Sequence, residues 1–162
     1  MTATLVRRAT VDDAPAIAHV HLQSWRETYG PVLPADVLAG LDLDARTARW
    51  QAILDEGRST IHVAVAGGEV VGFASAGDRP DEGGPAPREL EGLYVLARHH
   101  GTGEAARLLA EAVGHGPAYL WVWRDNARAI AFYAKHGFVP DGAEDTHTVS
   151  GHPIPAIRMV RT

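Results

Sequence analysis

Apolar and polar residues change spacing several times along the chain, and each change marks an element. Thr4 to Ala9 reads as a short first strand. Ala14, Ile17, Ala18, Leu22 and Trp25 then recur close to a helical period, with Thr10 and Asp13 placed as a capping pair and Pro15 in the first turn. Pro31 and Pro34 end that helix. A second helical region is predicted from Asp44 to Glu56, with Leu43, Trp50, Ile53 and Leu54 inward. From Ile61 to Ala66 the period drops to two, with Ile61, Val63 and Val65 on one face. Gly67-Gly68 is a two-residue hairpin signal, and Glu69 to Ala76 returns as the next strand. Asp78 to Pro87 carries Pro80, Gly83, Gly84, Pro85 and Pro87 without apolar periodicity, which predicts a mobile loop placed to cover a site.

Arg88 to Leu96 is the expected fourth strand. The helix after it should bury Ala105, Leu108, Leu109 and Ala112 and expose Glu104, Arg107 and Glu111. Tyr119 to Trp123 is nearly all apolar, as suits a central strand covered on both faces. A last helix is predicted from Ala127 to His136, closed by Gly137 as a left-handed cap, and the tail pairs two strands across Ser150-Gly151. There is no internal repeat.

Composition narrows the function classes. A chain of 162 residues with 46% hydrophobic residues predicts one domain, 1–162, with a full core. No apolar run approaches a membrane span, and no charged segment leads into an apolar signal core, so neither a membrane nor a secretion route is expected. The absence of cysteine excludes disulfides, zinc–thiolate sites and a cysteine nucleophile, and makes the cytoplasm the default compartment. A net charge of −5 argues against nucleic acid or anionic lipid as main partner. Of the nine histidines, His19 and His21 should face different ways on a helix and His99 and His100 are adjacent. With no His-x-x-x-His pair, no metal site is expected.

The chemistry gathers at two strand-to-helix junctions. In the first, Leu93-Tyr94-Val95-Leu96 leads to His100-Gly101-Thr102-Gly103-Glu104-Ala105. A glycine-rich turn feeding a helix offers unpaired N–H groups and a positive dipole end, which suits a pyrophosphate. Read as G-x-G-x-x-A through Gly101, Gly103 and Ala106, with Asp125 as a ribose partner, the turn imitates a dinucleotide fingerprint. Fewer than 70 residues remain after Gly101, too few for the βα units a nucleotide-binding oxidoreductase needs. In the second junction stand Asn126, Ala129, Phe132 and Tyr133, closed by Gly137-Phe138. Tyr133 is a phenol able to return a proton, or else one ring on a packed helix face; Asn126 is a ligand contact or an N-cap. Glu89 and Glu91 should share one face of the fourth strand with Leu93; either carboxylate suits a general base or a solvated strand end.

Taken together, residues 93–138 resemble the coenzyme-A-binding core of the GNAT N-acetyltransferases. That family's Arg/Gln-x-x-Gly-x-Gly/Ala loop is matched by His100-x-x-Gly103-x-Ala105 followed by Leu108-Leu109, with His100 as the departure; a second register, Arg98-x-x-Gly101-x-Gly103, misplaces the leucines. Asn126-x-x-Ala129-x-x-Phe132-Tyr133-x-x-x-Gly137-Phe138 is similar to the second cofactor segment. The resemblance implies an α/β (α+β) GNAT fold, with a mixed sheet of about seven strands splayed between strands four and five and about four helices around it. It implies acetyl-CoA as acyl donor, with the pyrophosphate on amides from Gly101, Thr102, Gly103, Glu104 and Ala105 and the pantetheine arm along Leu93, Tyr94 and Val95. Asn126 would contact that arm or order the loop, Ala129 would belong to the cofactor site, Tyr133 would protonate the departing thiolate, and Glu91 would serve as base, directly or through water. Trp25 and Tyr29 lie where the family often forms its acceptor pocket, Trp25 also on the helix's core face. The acceptor would be a small amine or a peptide, attacking directly. A homodimer is a common outcome for the family. The rival reading is a non-catalytic acyl-CoA-binding or sensing module on the same fold.

Overall fold

A computed structural model describes residues 4–79, 84–149 and 151–162. Among them run seven strands in one mixed sheet, ordered β1-β2-β3-β4-β5-β7-β6. They are β1 (Thr4–Arg8), β2 (Thr60–Ala66), β3 (Glu69–Asp78), β4 (Arg88–Val95), β5 (Ala118–Trp123), β6 (Val139–Val149) and β7 (His152–Arg161). Five α-helices accompany the sheet: α1 (Ala14–Tyr29), α2 (Ala35–Ala39), α3 (Leu43–Glu56), α4 (Glu104–Val113) and α5 (Ala127–Lys135). Four were expected. The extra one, α2, is a single short turn between Pro34 and Gly40, too brief to show an apolar period.

Local chemistry accounts for most boundaries. Thr10 and Asp13 form the capping box ahead of α1, and Asp13 is also held by Arg7 at 2.8 Å, which keeps its carboxyl below the usual range. Asp42 caps α3 by accepting from the Asp44 and Ala45 N–H groups. Gly57 ends it with φ +68, a left-handed conformation.

The sheet has a core on each face. Helices α4 and α5 cover one, where Leu108, Leu109, Leu120, Phe138 and Met159 are fully or almost fully buried. Helices α1 and α3 cover the other, over Ile17, Trp50, Val63 and Phe73. Two expected positions differ. Leu43 is the first residue of α3 and lies at the surface, 46% exposed. Glu104 is buried rather than exposed, 4% accessible, because the first turn of α4 lies against β1 and the Thr4 hydroxyl donates to Glu104 Oε1 at 2.8 Å.

Part of the predicted 78–87 loop is ordered. Asp78 closes β3, the Arg79 N–H bonds the Pro87 carbonyl, and Ala86 is buried. Residues 80–83, which include Pro80 and Gly83 of the stretch expected to be mobile, lie outside the described residues, as does Ser150 of the predicted tail turn.

Candidate active site

The parallel strands β4 and β5 pair only at Glu89–Tyr119 and Leu90–Leu120. On the other side of β4, Ser75 pairs with Gly92 and Ala76 with Leu90, so Glu91 is the extra residue of a bulge. A bulge bends its strand and re-aims side chains. It also breaks the alternation assumed from the sequence: Leu93 packs into the core beneath α4, while Glu91 turns to the α1–α3 face. Leu93 therefore does not share a face with Glu91, as the unbroken period had predicted.

Where the strands part lies a cleft of about 830 Å³. Leu93, Tyr94 and Val95 line one side and Leu120 to Trp123 the other. The β4 edge facing it has no strand partner beyond Leu90, so its backbone groups can bond a ligand. Beyond Val95 the chain turns through His99 and His100 into α4. Gly101 (φ +78) and Gly103 (φ +94) adopt left-handed conformations, and a Cβ added to either meets no protein atom. Gly103 is the N-cap, and among the described residues no side-chain hydrogen bond reaches the first-turn N–H groups of α4, where Gly103, Ala105 and Ala106 line the cleft. That is the arrangement by which a helix N-terminus holds an anion.

His100 stands in the cleft wall with its ring nitrogen Nε2 2.8 Å from the Val95 carbonyl. A carbonyl only accepts, so Nε2 carries the proton and the ring ties the turn to the end of β4. The Thr102 hydroxyl bonds back to the His99 carbonyl, and neither Thr102 nor the Glu104 side chain lines the cleft. Leu108 and Leu109, which follow the turn within α4, are buried.

Across the cleft, Asn126 caps α5 by accepting from the Ala129 N–H at 3.2 Å. Asn126, Ala129, Phe132 and Tyr133 all belong to its wall. Tyr133 is 8% exposed, its ring edge-on to Phe132 and Phe138. Burial, with Tyr94 and Tyr29 nearby, raises the Tyr133 hydroxyl above the usual phenol range. It therefore stays protonated, which suits an acid and not a base. Burial likewise raises Tyr29, which lines the same cleft with its ring 5.3 Å from Trp123.

A second chamber, of about 660 Å³, opens on the α1–α3 face. It meets the cleft at Glu91, Gly92 and Tyr94, which line both. The Glu91 side chain is 20% exposed and doubly held. Its Oε1 accepts from the Ser75 hydroxyl at 2.8 Å and its Oε2 from Arg79 Nη2 at 2.6 Å. Arg79 Nε also lies 2.6 Å from Glu89 Oε1. Trp25 is in the wall of neither cavity; its ring packs on His21 at 4.3 Å, and the His21 ring in turn lies 5.0 Å from Tyr94.

Sequence reasoning missed Ser75, Arg79, His21 and Trp50 as members of this region. Phe73, Ser75 and Gly77 continue one strand face from apolar to polar, a signal that could have found Ser75. Among the described residues no group of three or more His, Asp or Glu could hold a metal ion, and no helix is long and apolar enough to cross a membrane.

Likeness to known proteins identifies the family. The profile of the Acetyltransferase (GNAT) family matches residues 19–138. An uncharacterized N-acetyltransferase of Bacillus subtilis, YuaI, is 32% identical over 90% of this chain and 86% of its own. The uncharacterized N-acetyltransferase Rv2669 of Mycobacterium tuberculosis is 34% identical over 92% of this chain and 97% of its own. The crystal structure of PaiA N-acetyltransferase from Thermoplasma acidophilum, in complex with coenzyme A, superposes with a TM-score of 0.72 at 18% identity, covering 99% of both chains. The chain belongs to the GNAT family of acetyltransferases.

Proposed function

We propose that this protein moves an acetyl group from acetyl-CoA to the primary amine of a small molecule or peptide by direct attack. The observation that carries the reading is the splay of β4 from β5, which leads at one end to the glycine-capped N-terminus of α4 and faces the buried Tyr133 across the gap.

Each residue has a role in this account. Amides from Gly101 to Ala105 hold the donor's pyrophosphate, and the free edge of β4 from Leu93 to Val95 pairs with its pantetheine arm. A β4 amide polarises the thioester carbonyl, an effect worth a few kcal/mol when preorganised. Asn126 shapes the opposite wall through its cap on α5. The amine nitrogen attacks the thioester carbon, the carbon–sulfur bond breaks, and the Tyr133 hydroxyl gives its proton to the departing thiolate. Glu91, at the junction of the two cavities, takes the ammonium proton before attack, directly or through water; Ser75 and Arg79 each occupy one lone pair of its carboxylate and leave a further lone pair on each oxygen. Tyr29 borders the acceptor side of the cleft, while Trp25 acts on it indirectly, by packing on His21.

The test is a panel of amines incubated with acetyl-CoA, read by free-thiol release and by mass spectrometry of the product. Amine-dependent thiol release with an acetylated product supports the reading. Tight acetyl-CoA binding without any acetylated amine would instead identify a binding or sensing module.

A further inference from the structure

The smaller chamber carries a device that the transfer chemistry does not use. The Trp50 indole N–H donates to His21 Nδ1 at 3.2 Å. An imidazole nitrogen that accepts a hydrogen bond carries no proton, so in the neutral ring the proton sits on Nε2. Nε2–H meets no hydrogen-bond partner among the described residues, and His21 forms part of the chamber wall. Its ring is clamped by Trp25 at 4.3 Å, Tyr94 at 5.0 Å, Trp50 at 5.6 Å and Phe73 at 5.7 Å. Burial and the nearby Arg46 guanidinium push the imidazole down to about 3, so it remains a neutral donor throughout the working pH range.

The rest of the chamber supplies what a donor would complement. Trp50, Ile53, Phe73 and Tyr94 give it an apolar, largely aromatic floor. Glu91 stands where it joins the donor cleft. A donor in the chamber wall with no protein partner favours a ligand that satisfies it over an analogue that cannot, because the analogue displaces water without replacing its hydrogen bond.

We propose that His21 is a specificity-determining residue and that the acceptor is a primary amine carrying both a flat apolar group and a hydrogen-bond-accepting oxygen. The amine lies toward Glu91, the apolar group on the aromatic floor, and the oxygen on His21 Nε2–H. This rests on the acetyltransferase reading above and narrows its acceptor class. It disfavours linear polyamines, which bring charge for the rim carboxylates Glu56 and Asp78 but no acceptor for His21.

The experiment compares kcat/KM for three amines with acetyl-CoA: phenylalaninamide, 2-phenylethylamine, which lacks the carbonyl, and putrescine. The expected result is a preference for phenylalaninamide of at least tenfold over each of the others. His21→Phe should bring the first ratio close to one while leaving acetyl-CoA affinity unchanged. His21→Gln, which keeps an N–H donor, should retain a preference. Trp50→Phe removes the bond that fixes the tautomer and should weaken discrimination with His21 still in place, which keeps the idea testable if His21→Phe does not fold. Equal rates for the two aromatic amines, a preference for putrescine, or an unchanged ratio in His21→Phe would overturn the proposal while the enzyme reading stands. Acetyl-CoA binding with no amine acetylated would remove both.

Discussion

Leu90 and Leu120 form the last backbone pair between β4 and β5. The next residue, Glu91, is the extra residue of the bulge between β4 and β3. Bulges bend a strand and increase its local twist, so the irregularity on one edge of β4 turns it away from the neighbour on its other edge. One inserted residue thus stands where the cleft opens and carries the carboxylate between the two cavities.

Removing one oxygen separates the two readings of Tyr133. Tyr133→Phe keeps the ring against Phe132 and Phe138 and loses only the hydroxyl. Turnover should fall by around 10²-fold, within the usual range for acid catalysis, with acetyl-CoA affinity and melting temperature nearly constant. Steady-state kinetics with an acceptor from the panel decides it; full activity would leave Tyr133 as a packing residue.

Gly103→Val tests the phosphate turn. The backbone there sits at φ +94, which a β-branched residue resists, and the added side chain points into open space rather than into protein. Acetyl-CoA affinity should fall tenfold or more, about 1.4 kcal/mol, in a folded protein. Unchanged affinity by titration calorimetry would move the pyrophosphate away from this turn.

The sequence made the repeated elements legible and the irregular ones not. The period of α1, the Gly67-Gly68 hairpin and the αL stop at Gly137 are local signals, and each lands within a residue or two of its element. The junctions around Gly103 and Asn126 were legible for the same reason: turn glycines and caps act within a few residues. The bulge was not, because strict alternation placed Leu93 beside Glu91 and only pairing with Ser75 reveals the insertion. Glu104 followed the helix period to the surface but answers to Thr4, a hundred residues earlier in the chain. Arg79 was lost in a stretch read as loop, although it holds Glu89 and Glu91. These contacts depend on distant partners that no local pattern encodes.

Asn126 separates capping from ligand contact. Asn126→Ala should cost about 1 kcal/mol of stability through loss of the bond to the Ala129 N–H. Asn126→Asp keeps an accepting oxygen and should restore that stability. If the Asn126 amide also meets the donor, Asn126→Asp should still bind acetyl-CoA more weakly; chemical denaturation and titration on both variants tell these apart.

His21 predicts a pH dependence of folding. In the unfolded chain its imidazole takes a proton near 6.5, whereas in the folded protein it stays neutral down to about 3. Between those values the unfolded state binds more protons, so stability falls as pH falls across that window. His62 and His136 shift in the same direction and add to the trend. Replacing His21 by Gln should remove up to about 1.4 kcal/mol per pH unit from the slope between pH 6 and 4, as an order of magnitude. Denaturation midpoints that move in parallel for wild type and variant would show that His21 takes up its proton while folded.

The most direct test of the central claim is the melting temperature measured with saturating acetyl-CoA and, separately, with NADH at the same concentration. A ligand that binds only the folded state stabilises it by about 2.7 kcal/mol at a hundredfold excess over its Kd. The account predicts a clear rise with acetyl-CoA and little change with NADH, and a rise that Gly103→Val largely abolishes. A rise with NADH and none with acetyl-CoA would contradict it.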